Sequence, residues 1–135
     1  MRLKAPPELR NGYKDKKHLG KVALMKCVAC AKEKAGRNTR LEIHHKTGCG
    51  IGKKASDLLT IPLCNFHHQS GGRGLALHRG IDLWEEKFGT QQDLILQIHE
   101  RIGLTIYKDY LLQINSEWLK CNSHLTFFNN KTEIL

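Results

Sequence analysis

The sequence contains no apolar run of 18 residues and none of signal-peptide length, so neither a membrane-spanning helix nor a leader is expected among its organising elements. A soluble, cytoplasmic protein with no membrane partner is the expectation. Acidic residues are scarce: 13 Asp and Glu stand against 22 Lys and Arg, a formal net charge of +9. Apolar residues make up only 40% of 135 positions, enough for one domain with a modest core that would gain from a covalent or metal staple. Five cysteines without a leader argue for metal rather than disulfide as that staple.

The positive charge is segregated. Residues 1–26 carry eight basic against two acidic side chains, residues 27–79 nine against three, and residues 80–135 five against eight. A polyanion such as DNA should therefore meet the first 79 residues. Residues 1–20, with adjacent prolines, scattered lysines and no apolar period, read as a flexible basic arm that lies along phosphates. His18 within it is expected to face solvent.

Five of the eight histidines lie between Leu41 and Arg79. Cys27 and Cys30 have the Cys-x2-Cys spacing that lets two thiolates grip one ion, and Cys64 and His67 repeat it with a histidine. Together they make a Cys3His site for structural zinc, with folding free energy on the order of 10 kcal/mol at stake. A redox dithiol or ordinary buried cysteines are the rival readings. The alternation in Arg40-Leu-Glu-Ile-His-His reads as a short strand, and adjacent histidines on a strand point to opposite sides. His44 and His45 therefore divide their labour: one binds a metal and the other acts on water. The loop KTGCGIGKKAS fails as a P-loop, having Thr47 and Lys54 where the motif needs Gly and Ser or Thr, and reads as a basic loop over phosphates. Cys49 in it has no spaced partner.

A second short strand runs from Asp57 to Cys64, with Pro62 marking an edge or end. A helix should follow and carry His67 toward the zinc and His68 toward the pocket of His44, since helical neighbours point about 100° apart. His78 follows a flexible stretch and is a third ligand, a substrate contact or a surface histidine. IDLWEEKF predicts a helix with Ile81, Trp84 and Phe88 as its stripe and Gly89 as its stop. Thr90-Gln-Gln-Asp93 opens another helix that ends at Gly103, and a last one should span about 105–120. His99, Cys121 and His124 have no companions at ligand spacing, and residues 121–135 carry no pattern.

This order of parts resembles the HNH endonucleases, whose core is a ββα-metal unit. The stretch from EIHHKTGCG through LCNFHHQSGGRGLALHRG to GTQQDL is most similar to the phage-encoded Ref-type, RecA-dependent nucleases. The likeness runs from about Cys27 to Leu94. It implies an α+β fold: a small zinc-stapled ββα-metal core over 22–79, followed by helices over 80–120, the nuclease domain spanning 21–120. It further implies that His44, His68 and His78 ligate a catalytic metal, magnesium or manganese, and that His45 is the general base. Asp57 stands where the family often has an Asn that orients the base, so it either orients His45 or binds the metal. Lys46, Lys53, Lys54, Arg73 and Arg79 are candidate phosphate contacts. DNA, and through the closer resemblance a RecA filament, are the implied partners, and host cytoplasm the setting for a phage-encoded protein. The competing expectation is a non-catalytic zinc module that binds nucleic acid.

Overall fold

A computed structural model describes residues 4–34, 39–47 and 54–113. The described elements are helices α1 (Lys16–Ala23) and α2 (Val28–Glu33), strands β1 (Leu41–His45) and β2 (Thr60–Cys64), a π-helical turn at Phe66–Ser70, and helices α3 (Ile81–Phe88) and α4 (Gln91–Ile102). Short 3-10 turns occupy Pro7–Leu9 and Leu77–Arg79. This is a small α+β arrangement. The two strands pair antiparallel, with Leu41 opposite Cys64, Ile43 opposite Pro62 and His45 opposite Thr60. Pro62 is tolerated because a two-stranded sheet has no central strand to deprive of a hydrogen bond.

β2 is buried along its whole length and receives α1, α2 and α4. Ile61 and Leu63 pack with Val22, Val28, Leu77, Trp84, Phe88, Leu94, Ile95 and Ile98 in one core. Local signals set the helix ends. The Asp15 carboxylate accepts the His18 N–H at 3.1 Å to open α1, and the Thr90 hydroxyl accepts the Asp93 N–H at 3.0 Å to open α4, each satisfying an amide that the first helical turn leaves unpaired. Gly103, at φ 89°, closes α4 as expected.

Three expectations are corrected. The N-terminal segment is not a flexible arm, because Leu9 and His18 are buried with Val22 and the chain is tied to the turn before β2. Gly12 N–H donates to Lys54 O at 2.9 Å, Asp57 N–H to Tyr13 O at 2.9 Å, and the Ser56 hydroxyl to Glu8 O. Only two inward positions one turn apart, His18 and Val22, anchor α1, too few to register as a period. Secondly, the buried face of α3 is Trp84, Glu85 and Phe88, while Ile81 is exposed. Thirdly, the histidine pair after Cys64 sits on a π-helical turn rather than an α-helix. The last helix is under way from 108 to 113, with Tyr107 and Leu111 buried and Ile106 exposed. Its remainder and the tail lie outside the described residues. Among the described residues no helix is long and apolar enough to cross a membrane.

Candidate metal centres

Two clusters of ligand-bearing side chains stand side by side: Cys27, Cys30, Cys64 and His67 in one, His44, His68 and His78 in the other. The first is assembled from three places. Cys27 caps α2, its sulfur accepting the Cys30 N–H at 3.4 Å, Cys64 ends β2, and His67 lies on the π-turn. The edges of the cluster fit one tetrahedral ion. With metal–sulfur and metal–nitrogen bonds of about 2.3 and 2.05 Å, a tetrahedron has S···S edges of about 3.8 Å and S···N edges of about 3.6 Å. Cys30 and Cys64 sulfurs are 3.7 Å apart, and His67 Nδ1 lies 3.6, 3.5 and 3.3 Å from the sulfurs of Cys27, Cys30 and Cys64. Burial, then the adjacent thiols, push Cys30 up to about 12, so three thiols here cannot readily ionise together without a cation to share. The Glu33 carboxylate accepts from His67 Nε2 at 2.9 Å, which leaves Nδ1 as the lone pair facing the sulfurs.

The second cluster is built the same way. His68 Nδ1–H donates to Glu42 Oε1 at 2.7 Å, which turns Nε2 toward His44 Nδ1 at 3.2 Å and His78 Nε2 at 3.0 Å. Two tetrahedral nitrogen ligands would stand about 3.3 Å apart. Burial, followed by the neighbouring His68 and His78 and partly opposed by the hydrogen bond that Nε2 donates to Gln91, lowers His44 to about 4. Burial and His68 also lower His78. Both rings are therefore neutral near pH 7, the form that binds metal. Glu42 is held down to about 2, chiefly by Arg40 with help from Asn65, His68 and Gln69, so it stays an acceptor. The donor set is three imidazole nitrogens, with Glu42 and Asp57 each occupied by a histidine N–H.

The π-turn explains how neighbouring residues serve different clusters. His67 and His68 are consecutive, yet His67 faces the sulfurs and His68 faces His44. Widened turns of this kind recur at functional sites. On β1 the alternation of faces does the same: His44 is buried in the cluster, and His45 points the other way toward the turn at Asp57.

His45 Nε2–H donates to Asp57 Oδ1 at 2.8 Å. Asp57 thus orients this ring and is not among the ligand atoms of either cluster. Burial acts to raise Asp57, but the bonds from His45 and from the Asp15 amide, 2.8 Å from Oδ2, outweigh it and the carboxyl lies below its ordinary value. The N-terminal segment therefore clamps this carboxylate from behind. Lys54 is exposed beside it, as are Arg73 and Arg79 near His78, the Arg79 Nε donating to Gln69 O at 3.3 Å. Lys46 follows β1. Lys53, with Cys49 and the glycines of its loop, lies outside the described residues. The sequence reading missed Glu33, Glu42 and Gln91. Glu42 could have been found from its alternation with His44 on β1, whereas nothing local marks the other two.

The model of one family, described as "Protein of unknown function (DUF968)", matches residues 3–104. The chain belongs to the DUF968 family. Both clusters and the His45–Asp57 pair fall inside the matched span. A stretch of 61 residues is 38% identical to "Uncharacterized protein YdfU" of Escherichia coli (strain K12), covering 43% of this chain. The matched stretch spans only 16% of that relative's length. No solved structure matches.

Proposed function

We propose that this DUF968 protein is a metal-dependent HNH endonuclease that hydrolyses phosphodiester bonds in DNA, its two strands and the turn bearing His67 and His68 serving as a ββα-metal core. One observation carries the reading: once Cys27, Cys30, Cys64 and His67 supply four ligands for a structural ion, three more histidines still converge on a second point, with a carboxylate-oriented histidine behind them. A purely structural zinc module has no use for that second set.

Cys27, Cys30, Cys64 and His67 would hold zinc, which suits three thiolates and an imidazole. His44, His68 and His78 would hold the second ion, which would supply positive charge against the oxyanion that develops as the phosphodiester breaks. Imidazole ligands suit zinc, nickel or copper, so magnesium or manganese, the ions implied by the resemblance, would rely on phosphate oxygens to complete their coordination. With Nε2–H engaged by Asp57, His45 presents Nδ1 as the group that takes a proton from the attacking water. Asp57 holds the ring in that orientation and favours that tautomer. Lys46, Lys54, Arg73 and Arg79 would offset phosphate charge. A narrower reading follows the resemblance: the DNA is coated with RecA or lies in a displacement loop.

The test is cleavage of single-stranded and displacement-loop DNA with magnesium, manganese or zinc, in the presence and absence of RecA. The wild type is expected to cut, and His45→Ala to lose about 100-fold or more in rate while keeping its Tm, the range of general-base contributions. Cutting without RecA would retain the nuclease and reject the filament requirement. Absence of cutting under every condition, in protein holding a cysteine-bound metal, would favour the non-catalytic module.

A further inference from the structure

Gln91, the first residue of α4, is buried and belongs to no ligand set, yet it joins three parts of the site. Its backbone N–H donates to Glu85 Oε2 at 2.8 Å, which anchors it to α3. Its side-chain amide is held from two sides by Thr47. The Thr47 N–H donates to Oε1 at 3.0 Å, and Nε2 donates to the Thr47 hydroxyl at 2.7 Å. The first of these fixes which end of the amide is oxygen, because a flipped amide would set an NH2 against an N–H. That oxygen lies 2.9 Å from His44 Nε2. An acceptor there requires a proton on Nε2, so the His44 lone pair sits on Nδ1, the atom that faces His68.

We propose that Gln91 is a positioning residue that fixes His44 as the Nε2–H tautomer and so makes Nδ1 its metal-binding atom, while tying that ring to the start of the basic loop through Thr47. The inference rests on the reading of His44, His68 and His78 as a metal site. It also assigns a division within the outer shell. Three other histidines of the site donate to carboxylates, His67 to Glu33, His68 to Glu42 and His45 to Asp57, whereas His44 donates to a neutral amide. The neutral partner orients the ring without adding negative charge beside the buried Glu85. Removal of such a partner costs about 10- to 100-fold in metal affinity.

The experiment uses the full chain with zinc in its cysteine cluster and its histidines labelled with nitrogen-15. Long-range proton–nitrogen correlation reads the His44 tautomer directly, and cobalt(II) titration followed by visible absorption reads the affinity of the histidine cluster. Wild type is expected to show His44 as Nε2–H. Gln91→Met, of similar volume and without the acceptor, is expected to show a mixture of tautomers and to raise the cobalt Kd by about 10- to 100-fold. Thr47→Val, which frees one side of the amide and leaves the helix untouched, should shift both readouts in the same direction by less. It serves as the deciding variant if Gln91→Met does not fold. An Nδ1–H tautomer in the wild type, or an unchanged tautomer and an unchanged Kd in the variants, would overturn the proposal. A wild type that takes up no cobalt at the histidines would count against the metal site itself, and the tautomer readout would still decide the role of Gln91.

Discussion

The His45–Asp57 pair lets one residue be altered at one atom. Asp57→Asn replaces Oδ1 or Oδ2 by an amide nitrogen, and both oxygens already accept hydrogen bonds, from His45 Nε2 and from the Asp15 N–H. One of the two bonds must be lost. If the amide keeps its oxygen toward Asp15, its NH2 faces His45 and favours the tautomer with the proton on Nδ1, the wrong one for taking a proton from water. We expect Asp57→Asn to lower the rate of the proposed cleavage by about tenfold or more, short of the roughly 100-fold at which a general base's full contribution begins, with metal content unchanged. Metal analysis and single-turnover cleavage of the same preparation check this together. At this scale the sequence was informative about which Cys and His side chains come together and poor about their supports. Cys-x2-Cys, Cys-x2-His and His-His are spacings within one turn or strand and are legible as such. Gln91 and Glu33 act across 47 and 34 residues of chain, where no local pattern reports the contact.

The π-turn and α2 together close the cysteine cluster. Cys30→Ser leaves the capping sulfur of Cys27 in place but removes one of the four candidate ligands, so the expected outcome is loss of the ion proposed for this cluster and a fall in Tm. If that ion is structural zinc, as proposed, the loss amounts to several kcal/mol, as expected from the folding free energy such sites carry. Metal analysis and thermal unfolding with and without added zinc are the checks; equal melting temperatures for variant and wild type would refute the structural role. α1 supplies a second test. His18 on α1 and His99 on α4 are buried with their rings 5.7 Å apart. Burial, then the charge of His99, lowers His18 to about 4, with Asp15 opposing and Lys21 adding to the effect. Burial lowers His99 as well. These values are depressed in the folded state, so the unfolded chain binds protons first as pH falls. Stability is full above about pH 6.5, declines toward about pH 4, and His18 alone accounts for on the order of 1–2 kcal/mol between pH 7.5 and 5. Urea unfolding at those two pH values should show the loss in wild type and a shallower one in His18→Gln. Capping residues and glycine stops made α3 and α4 legible in the sequence. The folded state of α1 was not, because its lysines dominate its composition while two side chains decide its burial.

In the whole molecule, the N-terminal segment is part of the fold and of the site. Glu8 accepts from the Ser56 hydroxyl and from Tyr107 at 3.0 Å, and Asp15 supports Asp57. Removal of residues 1–20 is therefore expected to lower Tm and to disable the proposed cleavage along with the proposed DNA binding. Salt-dependent binding and cleavage, measured on the truncated chain, separate this from a detachable arm, which would weaken binding and spare the chemistry. The segregation of basic charge is plain in the sequence, but charge alone does not say whether a segment is loose.

The placement of His67 and His68 along the π-turn also sets where the chain can change length. Each residue added between Cys64 and His68 would rotate everything after it by roughly 100°, and would take His67 from one cluster or His68 from the other. That span is closed to insertion and deletion. His78 is reached after Gly71 through Leu77 and stands exposed at the rim of its cluster, so the connection before it can lengthen or shorten provided its end returns to the same place. If the two clusters hold ions as proposed, a library of loop lengths between Ser70 and Leu77 should yield folded proteins that keep the metal of the cysteine cluster and differ mainly in how firmly the histidine cluster grips its own.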